Sequence, residues 1–141
     1  DLQVEVAQLL SDLVAPGLGL GCGDSVGPVP ADSPQIEVRS ATAVPGGVVA
    51  LRLRNASATE WSYNLCANGG LQRREGDAWV AAPEPFIVCA LVLTVLGPGV
   101  VRDTQFPVWL GLEPGVYRVR IEFRRGDGVV AAPVSNAFLV E

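Results

Sequence analysis

Three cysteines, Cys22, Cys66 and Cys89, are the residues best suited to covalent chemistry. Cys66 and Cys89 stand at the ends of apolar segments. A disulfide between them would close a loop of about two dozen residues and stabilise the fold by ~3 kcal/mol. We expect this disulfide, and two buried free thiols are the alternative. The odd count leaves Cys22 free, modified or paired to another chain.

Histidine is absent from all 141 residues. Its absence excludes a Ser-His-Asp triad, a Cys-His dyad and an imidazole metal ligand. It also removes the usual general base near neutral pH. No Cys-x-x-Cys spacing occurs, so a zinc or iron–sulfur centre is not expected. We therefore predict no catalytic residue, no metal and no cofactor, and a protein that is not an enzyme.

Several short motifs have both a functional and a structural interpretation, and the structural one is favoured for each. Asn55-Ala-Ser57 matches a glycosylation sequon, but we expect Asn55 to bond the backbone of its own turn. Arg125-Gly126-Asp127 matches an integrin-type tripeptide, and we predict a hairpin turn there. Four acids predicted in turns lack the spacing of a calcium loop: Asp77, Glu84, Glu113 and Asp127.

The chain is acidic, with a net charge of −5 and ten basic residues, all of them arginine. This balance argues against a protein that binds the nucleic-acid backbone, which requires a basic surface. Five arginines alternate outward along predicted strands: Arg52, Arg54, Arg118, Arg120 and Arg124. We expect a solvated face paired with acids there, in preference to a cationic binding face.

The predicted compartment follows from the cysteines. A disulfide implies an oxidising environment, and hence an extracellular or cell-surface location. The longest low-charge stretch, residues 13–29, is interrupted by proline, glycine and aspartate, so no membrane span is predicted.

From Pro34 onward, short segments alternate apolar and polar residues, as half-buried strands do. The clearest are QIEVRSA, GVVALRLRN, EWSYNLC and VYRVRIEFRR, with a hairpin formed by GLQRRE and AWVAA. TQFPVWL is predicted as a strand that Pro107 places at an edge or bulge, and the last strand is predicted from Val134 to Val140.

The run FIVCALVLTVL, residues 86–96, is nearly continuous in apolar residues. We predict it as a strand covered on both faces. Trp79 is expected to cover one end of the core. About eight strands with turns between them favour two stacked antiparallel sheets.

Residues 1–34 form a predicted extension that ends in a Gly/Pro-rich linker. Its first half is compatible with a helix or a strand, and five side chains make it a candidate for subunit docking: Leu2, Val4, Val6, Leu9 and Leu10. We leave three possibilities open: packing on its own domain, docking on a neighbouring copy as an added strand, and a processed or disordered leader.

Residues 35–141 resemble bacterial immunoglobulin-like domains of secreted and surface proteins. The resemblance rests on LRLRNASATEWSYNLC, LQRREGDAW, VCALVLTVLGPG, LEPGVYRVRIEF and VSNAFLVE. It implies an all-β, immunoglobulin-like antiparallel β-sandwich of 7–9 strands. Tyr117, which begins a strand after Pro114-Gly115, is expected to tie its hydroxyl back to the backbone. Leu20-Gly21-Cys22 is similar to a lipoprotein cleavage region, but the preceding residues lack its basic start.

Together these features predict a non-enzymatic, extracellular structural or adhesive module. One version is a filament subunit that donates its N-terminal strand to other copies of itself, and another surface protein is the alternative partner. Two other functions are open: a sandwich-fold proteinase inhibitor acting through an exposed loop, Ala82 to Phe86, and an accessory domain of a larger surface lipoprotein.

Overall fold

Short, paired β-strands are the main regular structure among the described residues. The computed structural model describes residue 30 and residues 32–141. Twelve strands and one helical turn occur within these residues. In chain order they are β1 Gln35–Val38, β2 Thr42–Ala43, β3 Val48–Arg54, β4 Trp61–Tyr63, α1 Leu65–Asn68, β5 Gly69–Glu75, β6 Ala78–Ala81, β7 Thr94–Leu96, β8 Val101–Pro107, β9 Gly115–Ile121, β10 Phe123–Arg125, β11 Val130–Ala131 and β12 Phe138–Val140.

The described strands form three sheets, ordered β1-β3-β8, β11-β10-β4-β7 and β2-β12-β9-β5-β6. Neighbouring strands are antiparallel except for β12 and β2, which run parallel. The chain leaves the five-stranded sheet at Ile121 and joins the four-stranded sheet at Phe123. The alternating segment VYRVRIEFRR is therefore divided between two sheets at Glu122.

One buried cluster draws its side chains from strands of all three sheets. In β3 the buried side chains are Val49, Leu51 and Leu53, and in β9 they alternate in the same way. The largest fully buried side chains are Trp61, Tyr117, Phe106 and Phe123. The predicted period-2 strands and the nearly all-β, antiparallel character of the chain are thus confirmed.

Asn55 joins two turns of the fold through a fully buried carboxamide. Its Oδ1 accepts hydrogen bonds from the backbone N–H and the hydroxyl of Ser57, at 3.0 and 2.7 Å. Its Nδ2 donates to the carbonyls of Thr59, Leu96 and Gly97, at 2.8 to 3.0 Å. The predicted turn role of Asn55 is confirmed, and the same amide fixes the β3–β4 turn against the β7–β8 turn.

Tyr117 closes the turn that precedes β9. Its hydroxyl donates to the Glu113 carbonyl at 2.7 Å, as the resemblance implied. Burial raises the pKa of the Tyr117 phenol, so the hydroxyl keeps its proton and its role as a donor.

The prediction of a strand covered on both faces at residues 86–96 is wrong. Residues 82–93 belong to no strand, and β7 takes up only Thr94–Leu96. A continuous apolar run indicates that the side chains avoid water, but it does not identify what covers them. β7 lies at the edge of its sheet, and residues 83–93 form no backbone–backbone hydrogen bond with any described strand.

Three smaller predictions also need correction. Leu65 begins α1 and does not continue β4, because the Asn64 side chain caps the backbone N–H groups of Cys66 and Ala67. Trp79 lies on edge strand β6 beneath the Arg118 guanidinium, 4.3 Å from the ring centroid, and does not cover the core. The last strand is Phe138–Val140, with Val134 forming an isolated bridge to Arg120.

Pro107 ends β8, which is the edge strand of the three-stranded sheet, in agreement with its predicted place. Within the part of the chain that the structure describes, no helix is long and apolar enough to cross a membrane.

Replacement of Asn55 by alanine tests the buried amide. Asn55→Ala leaves carbonyls and an N–H of the two turns without their partner, and each such buried group costs about 1–3 kcal/mol. We expect the free energy of unfolding in urea to fall by ~3 kcal/mol. Glu60→Gln, an exposed change in the same turn, is the control and should change it by less than ~0.5 kcal/mol. Equal unfolding energies for the two variants would contradict this role.

Candidate functional site

The most unusual surface lies on residues 82–93, which we call the apolar loop. Its large side chains face solvent: Phe86 is 94% exposed, Val88 85% and Leu91 96%. Ile87, Val92 and Leu93 are exposed as well. Scattered apolar residues are normal on a surface, but a contiguous exposed patch marks an interaction site.

Three contacts position the apolar loop. At its start, the buried Ala82 donates its backbone N–H to the Leu71 carbonyl at 2.9 Å. At its centre, Cys89 is bonded to Cys66 of α1, with the two Cα atoms 5.7 Å apart. Next to it, Asn64 Nδ2 donates to the Ala90 carbonyl at 2.7 Å. The loop is therefore held to the body of the protein while its side chains point outward.

The disulfide predicted from the sequence, Cys66–Cys89, is present. The alternative of two buried free thiols is wrong, because Cys66 is exposed and Cys89 half-buried in the bonded pair. Cys22 lies outside the described residues. The predicted docking residues Leu2, Val4, Val6, Leu9 and Leu10 lie outside them too.

The apolar loop connects two sheet edges. It leaves β6, the last strand of the five-stranded sheet, and enters β7, the last strand of the four-stranded sheet. Val95 of β7 is 46% exposed, and its carbonyl accepts a hydrogen bond from Arg102 Nη1 at 3.0 Å. An edge strand offers unpaired backbone groups to an incoming strand, and a charged side chain that covers them reduces this tendency.

Arginines elsewhere on the surface pair with acids or polar groups. Arg52 binds both carboxylate oxygens of Asp103, at 2.8 and 3.1 Å, and this hydrogen bonding lowers the pKa of Asp103. Arg118, half-buried, donates to Gln72 at 2.7 Å. For Arg52 the predicted solvated and paired face is confirmed.

The Arg125-Gly126-Asp127 tripeptide forms a turn that binds itself. Arg125 Nε and Nη2 donate to the two Asp127 oxygens at 2.9 and 3.0 Å, and Nη1 donates to Asp32. The hydrogen bond from Arg125 lowers the pKa of Asp127. The predicted hairpin turn is confirmed, and both charged groups of the tripeptide are engaged within it.

The structure does not bring the predicted turn acids together. Glu113 binds Arg73 at 2.9 Å, and Asp127 binds Arg125. Across residues 32–141, no group of three or more Cys, Asp or Glu side chains is placed to hold a metal ion.

Only the first part of the apolar loop was predicted to be exposed, and its second part was predicted to be a covered strand. The inhibitor hypothesis proposed an exposed loop at Ala82 to Phe86, and exposure holds from Pro83 onward while Ala82 is buried. Pro83 and Pro85 are the signal that favours a longer exposed loop, because two prolines in three residues disfavour a central strand. They could have moved the predicted end of the loop beyond Phe86.

No family model and no curated protein matches this chain. Among solved structures, the alkylpurine DNA glycosylase AlkC of Pseudomonas fluorescens, bound to DNA containing an abasic site analog, is similar with a TM-score of 0.41 and 14% identity. That similarity covers 77% of this chain, which spans only 30% of the glycosylase chain. The ASH/PapD-like domain 7 of human CEP192 is similar with a TM-score of 0.33 and 12% identity, over 86% of this chain and 96% of that one. Likenesses this weak carry no argument about function.

Removal of the disulfide tests its hold on the apolar loop. In Cys66→Ser/Cys89→Ser, loop-closure entropy predicts a free energy of unfolding about 3 kcal/mol lower. Limited proteolysis should also cut the loop faster, because one of its anchors is lost. Ala67→Ser, at an exposed neighbouring position, is the control. Unchanged stability and cleavage on removal of the bridge would show that the loop is held by other contacts.

Proposed function

We propose that this chain is a non-enzymatic, extracellular or cell-surface module with an immunoglobulin-like sandwich, and that it holds partner proteins through the apolar loop. The observation that carries the proposal is the exposure of six large apolar side chains on a segment fixed by a disulfide. A surface of this kind is unfavourable in water until another surface covers it.

The free energy of burying the exposed side chains, set against the cost of association, supports a binding role for the apolar loop. Complete burial of one large apolar side chain contributes about 1.5–3 kcal/mol. Association is opposed by about 4–15 kcal/mol of lost translational and rotational freedom. Covering most of Phe86, Val88, Leu91 and their neighbours is therefore enough to sustain a specific contact. Because the loop is already tethered, less conformational freedom is lost on binding.

The partners we favour are other copies of the chain. In this version the N-terminal segment of one copy, with Leu2, Val4, Val6, Leu9 and Leu10, docks on the next copy as a donated strand. A contact between two different surfaces repeats from copy to copy, so it builds a filament unless the rotation closes a ring. Service as an accessory domain of a larger surface lipoprotein remains the other form of the same proposal.

The proposed compartment rests on the disulfide, since such bonds persist in oxidising environments. The proposed absence of catalysis rests on the sequence and the site together. The chain contains no histidine. The apolar loop exposes mainly hydrocarbon side chains, and the acid Glu84 lies at one end of it.

Self-association of the complete chain tests the proposal. We expect sedimentation velocity to show oligomers that grow with protein concentration. In Phe86→Ser/Leu91→Ser they should weaken at least about tenfold, since burial of two large side chains is worth more than 1.4 kcal/mol. Leu110→Ser removes a side chain that is 81% exposed elsewhere on the surface and is the matched control. Equal association of the loop variant and the control would overturn the proposal.

A proteinase inhibitor is the second candidate, favoured by the exposed stretch from Pro83 to Phe86 beside the disulfide. A rigid, exposed segment of this kind can occupy a protease cleft with little loss of freedom. Titration of secreted proteases with the intact chain should then show stoichiometric inhibition that Phe86→Asp abolishes and Leu110→Asp retains. Full protease activity with excess chain would exclude this function for the proteases tested.

A further inference from the structure

We propose that the outer edge of β7, together with the apolar loop, is the acceptor surface for residues 2–6 of a second copy, which adds there as a strand. The inference rests on the function proposed above and names the partner that the loop holds. Its grounds are an unpaired strand edge, unpaired loop backbone and the composition of the N-terminal segment.

The edge of β7 is open. β7 pairs with β4 through Trp61↔Leu96, Ser62↔Val95 and Tyr63↔Thr94, and no described strand pairs with its other side. The Arg102 guanidinium covers part of that side by donating to the Val95 carbonyl. A flexible arginine can move away, so the edge remains available to an incoming strand.

Once a partner covers the apolar loop and excludes water, its backbone groups need new hydrogen-bond partners. Residues 83–93 form no backbone–backbone hydrogen bond with other described residues, and the Ala90 carbonyl is held by the Asn64 side chain. A lipid surface would cover the apolar side chains but leave the N–H and C=O groups unpaired, at a cost of several kcal/mol each in hydrocarbon. An added β-strand supplies both hydrogen bonds and apolar contacts. The surface therefore favours an extended peptide.

The N-terminal segment has the composition that this surface requires. Leu2, Val4 and Val6 alternate with Gln3 and Glu5. In an added strand the three aliphatic side chains share one face, and Gln3 and Glu5 share the other. Glu5 then offers a carboxylate to Arg102. That charge-assisted bond replaces the weaker one between Arg102 and the neutral Val95 carbonyl.

The connecting chain is long enough to reach a neighbour. Residues 7–29 separate Val6 from Pro30. Twenty-three residues can span at most about 75–80 Å when fully extended. A domain of the described size has a radius of gyration of about 13 Å. The described chain starts beside β10, where Arg125 holds Asp32, so the donated strand can extend beyond its own domain.

The test mixes two complementary variants of the complete chain. The donor variant is Val4→Asp/Val6→Asp. The acceptor variant is Leu91→Asp/Val95→Asp, at two exposed positions. Leu110→Asp, also exposed, is the control. Sedimentation velocity is recorded for each protein alone and for an equimolar mixture. A non-reducing gel and thermal unfolding verify the disulfide and the fold; if the acceptor variant is unfolded, Val88→Asp takes its place.

We expect the wild type and the control to form a series of oligomers, and each variant alone to be monomeric. The mixture should yield a one-to-one dimer, because one intact donor and one intact acceptor remain. A synthetic peptide of residues 1–14 should shorten the wild-type oligomers.

The outcomes also separate this inference from the proposed function. If the acceptor variant is monomeric but the donor variant associates like the wild type, the loop binds a different surface of the second copy and only the strand inference fails. If both variants associate like the wild type, the loop is not the contact and both proposals fail. A monomeric wild type, or a mixture without the dimer, overturns the proposal that one copy donates its N-terminal strand to the next.

Discussion

The buried carboxamide of Asn55 is the interaction on which the arrangement of the sheets depends. It binds the carbonyls of Leu96 and Gly97, at the end of β7, as well as its own turn after β3. One side chain thus fixes both places where the chain passes between the three-stranded and the four-stranded sheet, from β3 to β4 and from β7 to β8. Because a buried amide tolerates few alternative geometries, the position of β7 is fixed, and with it one end of the apolar loop.

The body of the protein and the apolar loop differ in how they meet water. The body of the protein buries its alternating strands and pairs several of its arginines with acids, while the apolar loop leaves aliphatic and aromatic side chains in water. The disulfide and the hydrogen bond from Asn64 Nδ2 to the Ala90 carbonyl hold the loop in place without covering it. The loop is thus held at several points while its apolar side chains remain exposed. This distinguishes it from a mobile linker and suits a recognition surface.

Much of the fold could be predicted from the sequence where local chemistry decides the outcome. β3 and β9 show their period of two directly, and Pro-Gly at 98–99 and 114–115 marks turns. The bonds of Asn55 to its own turn and of Tyr117 to Glu113 span only a few residues, whereas the bonds of Asn55 to Leu96 and Gly97 could not be predicted locally. The apolar run 86–96 was mispredicted because hydropathy does not reveal whether a neighbouring strand exists. The helical turn at Leu65 was missed since one capping side chain, Asn64, outweighs the apolar pattern.

The arginine at the β7 edge also bears on colloidal behaviour. The chain has an isoelectric point of about 4.7, so mutual repulsion between copies vanishes in mildly acidic solution. The Arg102 guanidinium meanwhile donates to the Val95 carbonyl on the unpaired side of β7. Because this charged side chain covers part of the strand edge, non-specific edge-to-edge pairing is opposed even where net charge no longer keeps molecules apart.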